Sequence, residues 1–418
     1  LESLYWQTIY RFGCTTRTGR CFVDTPGIWF QGKTWPYSAT DWNIQSAHWP
    51  VYAANRLEQG QALVDRLHER REELIKAVRP VEWQRDSAYL PLAAAWDMRG
   101  SRTGDMRYYH LVGNLPWTMH NMWWQYRYSM DDTMLREKIY PLLRRAINLY
   151  LHMIEEGEDG KLRLPPTFSP ELGVFEDCNF DLALLKWGCH TLLKASKRLK
   201  IDDPLIPRWE AVVEGLPDYP ADEFGFRLGR DRTSSANHQH FSSLLMIYPL
   251  YLVNVDQEGT ADVLRRSLKR ALGTAGPGQR QAMVQAHAGP IATAIGLGDE
   301  ALVSLKRLEG DLYPNGLWYD PPCIESSLSL ANIIQDMLLQ SWGGVLRVFP
   351  AAPEVWGDVA FKDLRGQGAF LVSAKKKDGV TQFVTVKSLI GSPCVVQTDI
   401  VNPRIEIDGS PARVKVRD

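Results

Sequence analysis

Helical periodicity runs through the chain as far as about residue 342, and this pattern constrains the fold more than any other feature. Apolar residues recur at three- and four-residue steps, for example at Trp49, Ala53 and Leu57. Pro- and Gly-rich connections such as Pro314-Asn315-Gly316 separate the periodic stretches. Helices in this number, joined by alternately short and long loops, favour a toroid of helical hairpins around a central pocket over a bundle. We predict helices over residues 49–67, 105–128, 132–156, 178–200, 237–254, 260–272, 279–296 and 325–341.

The pattern changes after Gly343-Gly344. The later stretches are short, β-branched and partly alternating, with Gly and Pro between them, which is typical of β-strands. The last of them carry no cluster of acids, His or Cys. We therefore predict a helical domain over residues 1–342 and a small antiparallel β domain over residues 343–418 that supports it. The predicted strands are residues 345–349, 369–374, 382–387, 393–397, 404–407 and 413–416.

Composition and charge exclude several classes of partner. A chain of 418 residues with 44% hydrophobic residues can form one large core and a smaller module. The formal charge of -1 gives no attraction to nucleic acid or to anionic membranes. The sequence has no run of about 18 apolar residues, so it predicts no membrane-spanning helix. We expect a neutral partner, with neither nucleic acid nor membrane involved, and the sequence leaves the oligomeric state unknown.

Aromatic and cysteine usage adds two expectations. Fifteen Trp and 16 Tyr are many for this length; they suit stacking on sugar rings, and they equally suit core and rim positions. Cys14 and Cys21 are close enough in sequence to form a disulfide, whereas Cys178, Cys189 and Cys323 lie in apolar contexts typical of buried free thiols. Neither Cys nor His shows metal-ligand spacing, so we expect no metal and no cofactor.

Three acids stand in unusual surroundings. Asp41 and Asn43 lie two residues apart ahead of an aromatic run, where they could jointly hold a water or a sugar hydroxyl. Glu171 and Glu325 each follow a proline-bearing segment and precede amphipathic helical sequence. This pattern indicates carboxylates presented from loops on a helical scaffold. Alternatively, Asp41 and Glu325 are helix caps, and Glu171 is a first-turn acid stabilised by a helix dipole.

Several other polar and aromatic side chains are candidates for sugar contact. His120 and Asn121 lie in residues 113–121, which we interpret as a loop. Alternatively, this stretch is the start of a helix in which both side chains are exposed. A hydrogen-bonded core position is the usual outcome for a histidine, and a core position for a tryptophan. We expect Asp181 to be a solvated or capping acid. The candidate sugar-binding residues are Trp42, His120, Asn121, His238 and His240.

The order of motifs resembles the catalytic region of glycoside hydrolase family 95, the inverting alpha-L-fucosidases and alpha-L-galactosidases. Ser169-Pro170-Glu171 matches the family's Ser-Pro-Glu, and His238 to Ser242 is similar to its His-Arg-His-Leu-Ser. Pro26 to Trp29 is similar to its Gln-Gly-Ile-Trp. Asp41-Trp42-Asn43 falls where the family has Asn-x-Asn, and Pro321 to Glu325 resembles its Pro-Pro-Phe-Gln-Ile-Asp.

The resemblance implies a fold and a set of roles. The family fold has an N-terminal β-sandwich, a helical linker, an (α/α)6 barrel and a C-terminal β domain, of which this chain resembles the last two. The family's Ser-Pro-Glu glutamate is its general acid, so the resemblance assigns this role to Glu171. Asp41 replaces a family Asn, Glu325 replaces the family's catalytic-site Asp, and Ser326-Ser327 replaces a Gly-Asn. The sugar recognised can therefore differ from L-fucose. Family members are usually periplasmic or secreted.

The expected chemistry follows from the inverting mechanism. One carboxylic acid protonates the leaving oxygen while a carboxylate activates water on the opposite ring face, with the two groups roughly 6.5 to 9.5 Å apart. Apolar neighbours such as Phe168 and Phe175 are expected to desolvate Glu171 and favour its protonated form. Glu325 or Asp41 is then the base, with Asn43 orienting the water. The alternatives are a non-catalytic carbohydrate-binding protein and a polysaccharide lyase on the same toroid.

Overall fold

The computed structural model describes residues 1–19, 22–23, 25, 27, 37–100, 111–232, 240–274, 281–310, 312, 324–408 and 410–411. Within these residues, no helix combines the length and the apolar character needed to cross a bilayer. Cys178 and Cys189 are buried free thiols, as predicted, and Cys14 is also free. The proposed partner of Cys14, Cys21, and the predicted buried thiol Cys323 lie outside the described residues.

Helices make up the body of the protein. A π-helical turn, Leu135–Ile139, joins the sixth and seventh of them, and a 3-10 helix covers Val81–Arg85. In chain order the helices are α1 Glu2–Thr15, α2 Asn43–Ala53, α3 Leu57–Glu69, α4 Arg71–Lys76, α5 Asn114–Ser129, α6 Asp132–Met134, α7 Tyr140–Leu151, α8 Asn179–Leu199, α9 Ile206–Gly215, α10 Ala261–Thr274, α11 Gln281–Ala294, α12 Gly298–Gly310 and α13 Glu325–Leu338.

The helices close into a ring because α13 packs against both α1 and α2. From α2 the contacts continue through α5, α7 and α8, and on the other side of α13 they continue through α11 and α10. In α2 the residues from Ile44 to Ala53 are all buried, and α13 is also buried along nearly its whole length. A helix without an exposed face belongs to the interior of a protein. The (α/α)6 toroid predicted from the sequence is confirmed.

Two of the ring helices approach each other closely at a glycine. A Cβ atom on Gly113, just ahead of α5, would lie 2.3 Å from Phe180 and 2.8 Å from Leu184 of α8. Both side chains are fully buried, so neither can move away cheaply. The absence of a side chain at Gly113 therefore permits the contact between α5 and α8.

The predicted helices agree with the structure with two clear exceptions. The helix predicted over residues 49–67 is divided, because α2 ends at Ala53 and α3 begins at Leu57. Residues 240–254 form turns and a short 3-10 helix, Ser242–Leu244, where we predicted a helix over residues 237–254. This segment is apolar and buried, and Pro249 lacks the N–H that a continuous helix needs. An apolar run of this kind cannot be assigned to a helix from periodicity alone. Helices α1, α4, α9 and α12 were not predicted.

Short hairpins occupy several connections between the helices. Each consists of two strands of two or three residues, and the pairing is antiparallel throughout. The hairpin strands are β3 Glu155–Glu156 with β4 Leu162–Arg163, β5 Thr167–Ser169 with β6 Gly173–Phe175, and β7 Ala221–Asp222 with β8 Gly225–Phe226. One further pair, β1 Ser38–Ala39 with β2 Ala93–Ala94, joins segments on either side of helices α2 to α4.

The β region after the helices forms small sheets. Strands β11, β12 and β13 form one antiparallel sheet, and β10 pairs with β9 in antiparallel and β14 in parallel orientation. The predicted antiparallel arrangement is therefore correct except for the β10–β14 pair, and β11 was not predicted. Residues 413–416 lie outside the described residues, and a domain boundary at residue 342 stays a prediction. The strands are β9 Leu339–Gln340, β10 Val345–Val348, β11 Val359–Gly366, β12 Phe370–Lys377, β13 Val380–Ser388, β14 Val395–Gln397, β15 Glu406–Ile407 and β16 Ser410–Pro411.

Candidate functional site

A network around Thr40 holds the segment that carries Asp41 and Asn43. The Thr40 N–H donates to the carbonyl of Leu92 at 2.9 Å, and its hydroxyl donates to the carbonyl of Pro91 at 2.7 Å. The amide of Asn114 donates to the same hydroxyl at 3.0 Å. The chain then enters α2 at Asn43, with Trp42 as the residue before the helix and no side-chain cap. Asp41 is therefore not a helix cap, which excludes that alternative.

Asn43 and Glu325 meet although 282 residues separate them in the chain. The Asn43 side-chain amide donates to a carboxylate oxygen of Glu325 at 2.5 Å. Thr25 joins their two segments, because its hydroxyl accepts from the Ala39 N–H and its carbonyl from the Ile324 N–H, both at 3.0 Å. Glu325 is the first residue of α13 and is fully buried, without a capping bond. It is thus neither on a loop, as we expected, nor a cap.

Glu171 lies at the tip of the β5–β6 hairpin, in the turn between Ser169 and Gly173. It is not a first-turn helical acid. Its φ of 55° places it in the left-handed region, which residues other than glycine adopt at a cost of about 1 to 3 kcal/mol. Its side chain remains 40% exposed, so the predicted apolar enclosure is wrong.

His240 connects the Glu171 turn to Asp41. Its Nε2 atom lies 3.2 Å from a Glu171 oxygen, and polar atoms of Asp41, Glu171 and His240 all lie within 4.8 Å of one another. Burial alone lowers the pKa of His240, but the charges of Glu171, Asp41 and Glu325 outweigh it and raise that pKa. Burial raises the pKa of Asp41 to about 7, and Glu171 adds to this effect while His240 opposes it. We call these three residues the acid cluster.

The acid cluster also bears on metal binding. Two carboxylates and an imidazole form a donor set that can suit a divalent cation. Here the Nε2 atom of His240 already contacts Glu171 at 3.2 Å. The same three side chains can also exchange protons as an acid–base group.

Asp181 supports the Glu171 hairpin, a function that the sequence did not predict. It is fully buried in the first turn of α8, where it accepts a hydrogen bond from Thr167 at 2.6 Å and one from Tyr150 at 2.5 Å. Thr167 begins strand β5, which leads to Glu171. The expected solvated or capping role of Asp181 is wrong. Burial raises its pKa to about 7 against the effect of both hydrogen bonds.

A second contact fixes the same hairpin to the His240 segment. The hydroxyls of Ser169 and Ser242 lie 2.8 Å apart, and both side chains are buried. Ser169 precedes the Glu171 turn, and Ser242 follows His240 by two residues. The segments that carry Glu171 and His240 are therefore linked twice, by the 3.2 Å contact between these two side chains and by the contact between the two serine hydroxyls.

Trp42 forms a buried wall behind the acid cluster. Its ring stacks on His287 of α11 with 3.7 Å between ring centroids, and it meets His240 edge to face at 6.3 Å. It is almost fully buried, and so is His287, which the sequence analysis did not single out. An isolated histidine in an apolar helix gave no signal for this position. A direct contact of Trp42 with sugar stays a prediction.

His120 and Asn121 lie within α5 and not in the predicted loop. Both are buried, so the alternative of an exposed helix entry is also wrong. His120 packs between Trp124 and Trp187, and burial lowers its pKa to about 3. The Asn121 amide donates to the carbonyl of Gln45, in α2, at 2.9 Å. Their roles as sugar ligands stay predictions, and His238 lies outside the described residues.

The site thus presents two different sets of polar groups. On one side the exposed Glu171 contacts the buried His240, with Asp41 behind them. On the other side the partly exposed Asn43 contacts the buried Glu325. Glu171 and Asn43 are the members that solvent or a ligand can reach. An accessible carboxyl together with an amide that is polarised by a buried carboxylate has the components for acid-assisted attack of water.

Comparison with known proteins identifies the family of the chain. The glycosyl hydrolase family 95 catalytic domain matches residues 1–338. Alpha-L-fucosidase 2 of Arabidopsis thaliana is 28% identical over 290 residues, which cover 63% of this chain and 34% of that protein. The chain therefore spans about a third of the length of this curated relative.

Solved structures share the fold. A putative kojibiose phosphorylase from the human microbiome superposes with a TM-score of 0.70 at 13% identity, over 94% of this chain and 59% of that one. A structure titled Glycosidase Wild Type gives a TM-score of 0.55 at 12% identity, over 80% of this chain and 96% of that one. These likenesses concern the fold alone. With the match over residues 1–338, the chain belongs to glycosyl hydrolase family 95.

Proposed function

We propose that this protein is an inverting exo-glycosidase that removes a terminal α-L-fucose, L-galactose or related sugar from a complex glycan. One observation carries the proposal. In a family 95 catalytic domain, an accessible carboxyl, Glu171, lies in the same site as an accessible amide, Asn43, that is bound to a buried carboxylate. The glycan is the expected partner, and a periplasmic or secreted location fits such a substrate.

Glu171 is the general acid in this proposal. It is the most accessible carboxyl of the site, and the hairpin tip lets it approach a glycosidic oxygen. During hydrolysis the bond between the anomeric carbon and the leaving oxygen breaks, and the Glu171 proton moves to that oxygen. The resulting carboxylate stays beside His240, whose charged form stabilises it.

Asn43 and Glu325 together activate the water. Glu325 is fully buried, so it reaches a water most simply through Asn43, whose amide nitrogen it holds at 2.5 Å. The carbonyl oxygen of Asn43 accepts a proton from the attacking water while the amide nitrogen passes one to Glu325, which leaves Asn43 as its imidic-acid tautomer. Tautomerisation then restores the amide. The water oxygen bonds to the anomeric carbon as the leaving oxygen departs. One proton thus moves from the water to Glu325.

Asp41 suits the base role less well than Glu325. An inverting acid and base lie roughly 6.5 to 9.5 Å apart, because the sugar and the water must fit between them. The Asp41 carboxyl lies within 4.8 Å of Glu171. Of the two candidates that the sequence left open, we therefore propose Glu325, acting through Asn43.

Hydrolysis of aryl glycosides tests the proposal. We expect turnover of one member of a panel of aryl α-L-fucosides, L-galactosides, L-rhamnosides and L-arabinosides, and loss of that turnover in Glu171→Gln. Sugar binding without turnover would favour a non-catalytic binding protein. An unsaturated product that absorbs in the ultraviolet would indicate a lyase. Absence of both binding and turnover on glycan substrates would contradict a carbohydrate function.

A further inference from the structure

The contact between Glu171 and His240 poses a problem for a general acid. A general acid must carry a proton before the reaction, but an adjacent imidazolium favours the ionised carboxylate. Burial does not solve this problem, because Glu171 is 40% exposed. Another group must therefore offset the charge of His240.

Asp41 is placed to do so. It is 4% exposed and lies with its carboxyl within 4.8 Å of both His240 and Glu171. We propose that Asp41 is the counter-ion of His240, and that it thereby leaves Glu171 free to hold the proton that a general acid donates. This inference rests on the proposed role of Glu171.

The charges around Asp41 couple its protonation to that of His240 and Glu171. Among the described residues, the titratable groups that act on it are His240, Glu171 and Glu325. His240 favours the charged form of Asp41, whereas burial and the two glutamates oppose it. In return, Asp41 is one of the carboxyls that favour the charged form of His240. Two carboxyls and one imidazole thus share the available protons, and removal of one carboxyl changes the distribution over the other two.

The dependence of rate on the leaving group tests the proposal. Benzyl α-L-fucoside needs a proton on its leaving oxygen, whereas α-L-fucosyl fluoride needs little acid assistance. At pH 7 we expect Asp41→Asn to lose about 10- to 100-fold in kcat/KM on the benzyl glycoside and less than about 3-fold on the fluoride. Glu171→Gln is the reference for lost acid catalysis, and Glu325→Gln is the reference for lost water activation. Equal losses of Asp41→Asn on both substrates, or no loss on either, would overturn the proposal.

Titration of His240 tests the same proposal without catalysis. The imidazole Cε1 signal is followed by NMR in protein labelled at histidine, and His240→Gln identifies the signal. We expect Asp41→Asn to shift the titration midpoint of His240 down by about one pH unit, because the imidazolium loses a negative neighbour. An unchanged midpoint would contradict the counter-ion role. Failure of the wild type on these two substrates, and on the same pair made with each other sugar of the panel, would count against the proposed function. The titration would still decide the role of Asp41.

Discussion

The acid side and the water side of the site are built differently. On the acid side, Glu171 is 40% exposed at the tip of a hairpin. It contacts the imidazole of His240 at 3.2 Å, and both residues lie in connections between helices. On the water side, Glu325 is fully buried at the start of the long helix α13 and is bound to the first residue of α2 at 2.5 Å. One carboxyl is accessible on a turn, and the other is fixed between two packed helices.

This difference matches the two tasks. The acid must reach leaving groups of different shape, and a turn residue with an exposed carboxyl can do so. The water-activating group must keep one position relative to the anomeric carbon, and side chains on packed helices are held more precisely than those on loops. We expect substitutions on the acid side to have effects that depend on the leaving group, and substitutions on the water side to affect all substrates alike.

Removal of the general acid is expected to have the largest effect. Glu171→Gln should lower kcat on poor leaving groups by about 10²- to 10⁴-fold, because the amide has no proton to donate to the leaving oxygen. The loss should be much smaller on a glycosyl fluoride. The check is kcat for a series of aryl glycosides of graded leaving-group acidity. A uniform loss across the series would remove the distinction between the two sides.

The water side should show the opposite pattern. Asn43→Ala and Glu325→Gln should each lower kcat by about 10²- to 10³-fold for every leaving group, because attack of water is needed in all cases. The double variant should lose little more than either single variant, since the two residues act as one unit. Steady-state kinetics on the same glycoside series measures both effects. Additive losses would show that Asn43 and Glu325 act independently.

A smaller effect is expected from the support of the Glu171 hairpin. Thr167→Val keeps the shape of the side chain but removes the bond to Asp181, and it should lower kcat about tenfold with little change in KM. Thr167→Ser, which keeps the hydroxyl, is the matched control and should remain near wild type. Thermal unfolding of each variant separates misplacement of Glu171 from loss of the fold. A change in KM alone would argue against a positioning role.

The smallest expected effect concerns stability and not catalysis. Burial lowers the pKa of His120 to about 3, so the folded protein keeps this ring neutral while the unfolded chain protonates it below pH about 6.5. Protonation of this ring in the unfolded chain therefore lowers the free energy of unfolding as pH falls below about 6.5, by about 2 kcal/mol at pH 5. Urea unfolding of His120→Gln should show a smaller decrease between pH 7 and pH 5 than the wild type. Equal decreases would contradict this prediction.

Local patterns predicted the helical body well, because amphipathic repeats directly reflect which face of a helix is buried. The stretch around His120 misled the interpretation, since Gly113 and Pro116 resemble turn residues. Pro116 lies in the first turn of α5, where its missing N–H has no helical partner to lose. Residues 237–254 misled in the opposite direction, because their apolar pattern resembles that of a helix.

The sequence predicted which residue types form the site, but not which of these residues contact each other. Resemblance singled out Asn43 and Glu325, and only the closed ring of helices shows that they are bound to each other across 282 residues. Asp181 resembled an ordinary first-turn acid, because sequence does not show that the Glu171 hairpin covers it. The short distance between Asp41 and Glu171 also depends on tertiary structure, and it decided which acid we propose as the base.

The stereochemistry of the first product tests the central claim most directly. Proton NMR during hydrolysis of an α-L-fucoside, or of the α-glycoside that the substrate panel identifies, shows which anomer is released before mutarotation. Our account predicts the β-anomer first, because the Asn43–Glu325 pair directs a single attack of water from the face opposite the leaving group. Initial release of the α-anomer would require a covalent intermediate and two displacements. That result would contradict the assignment of Glu325 and Asn43 to water activation.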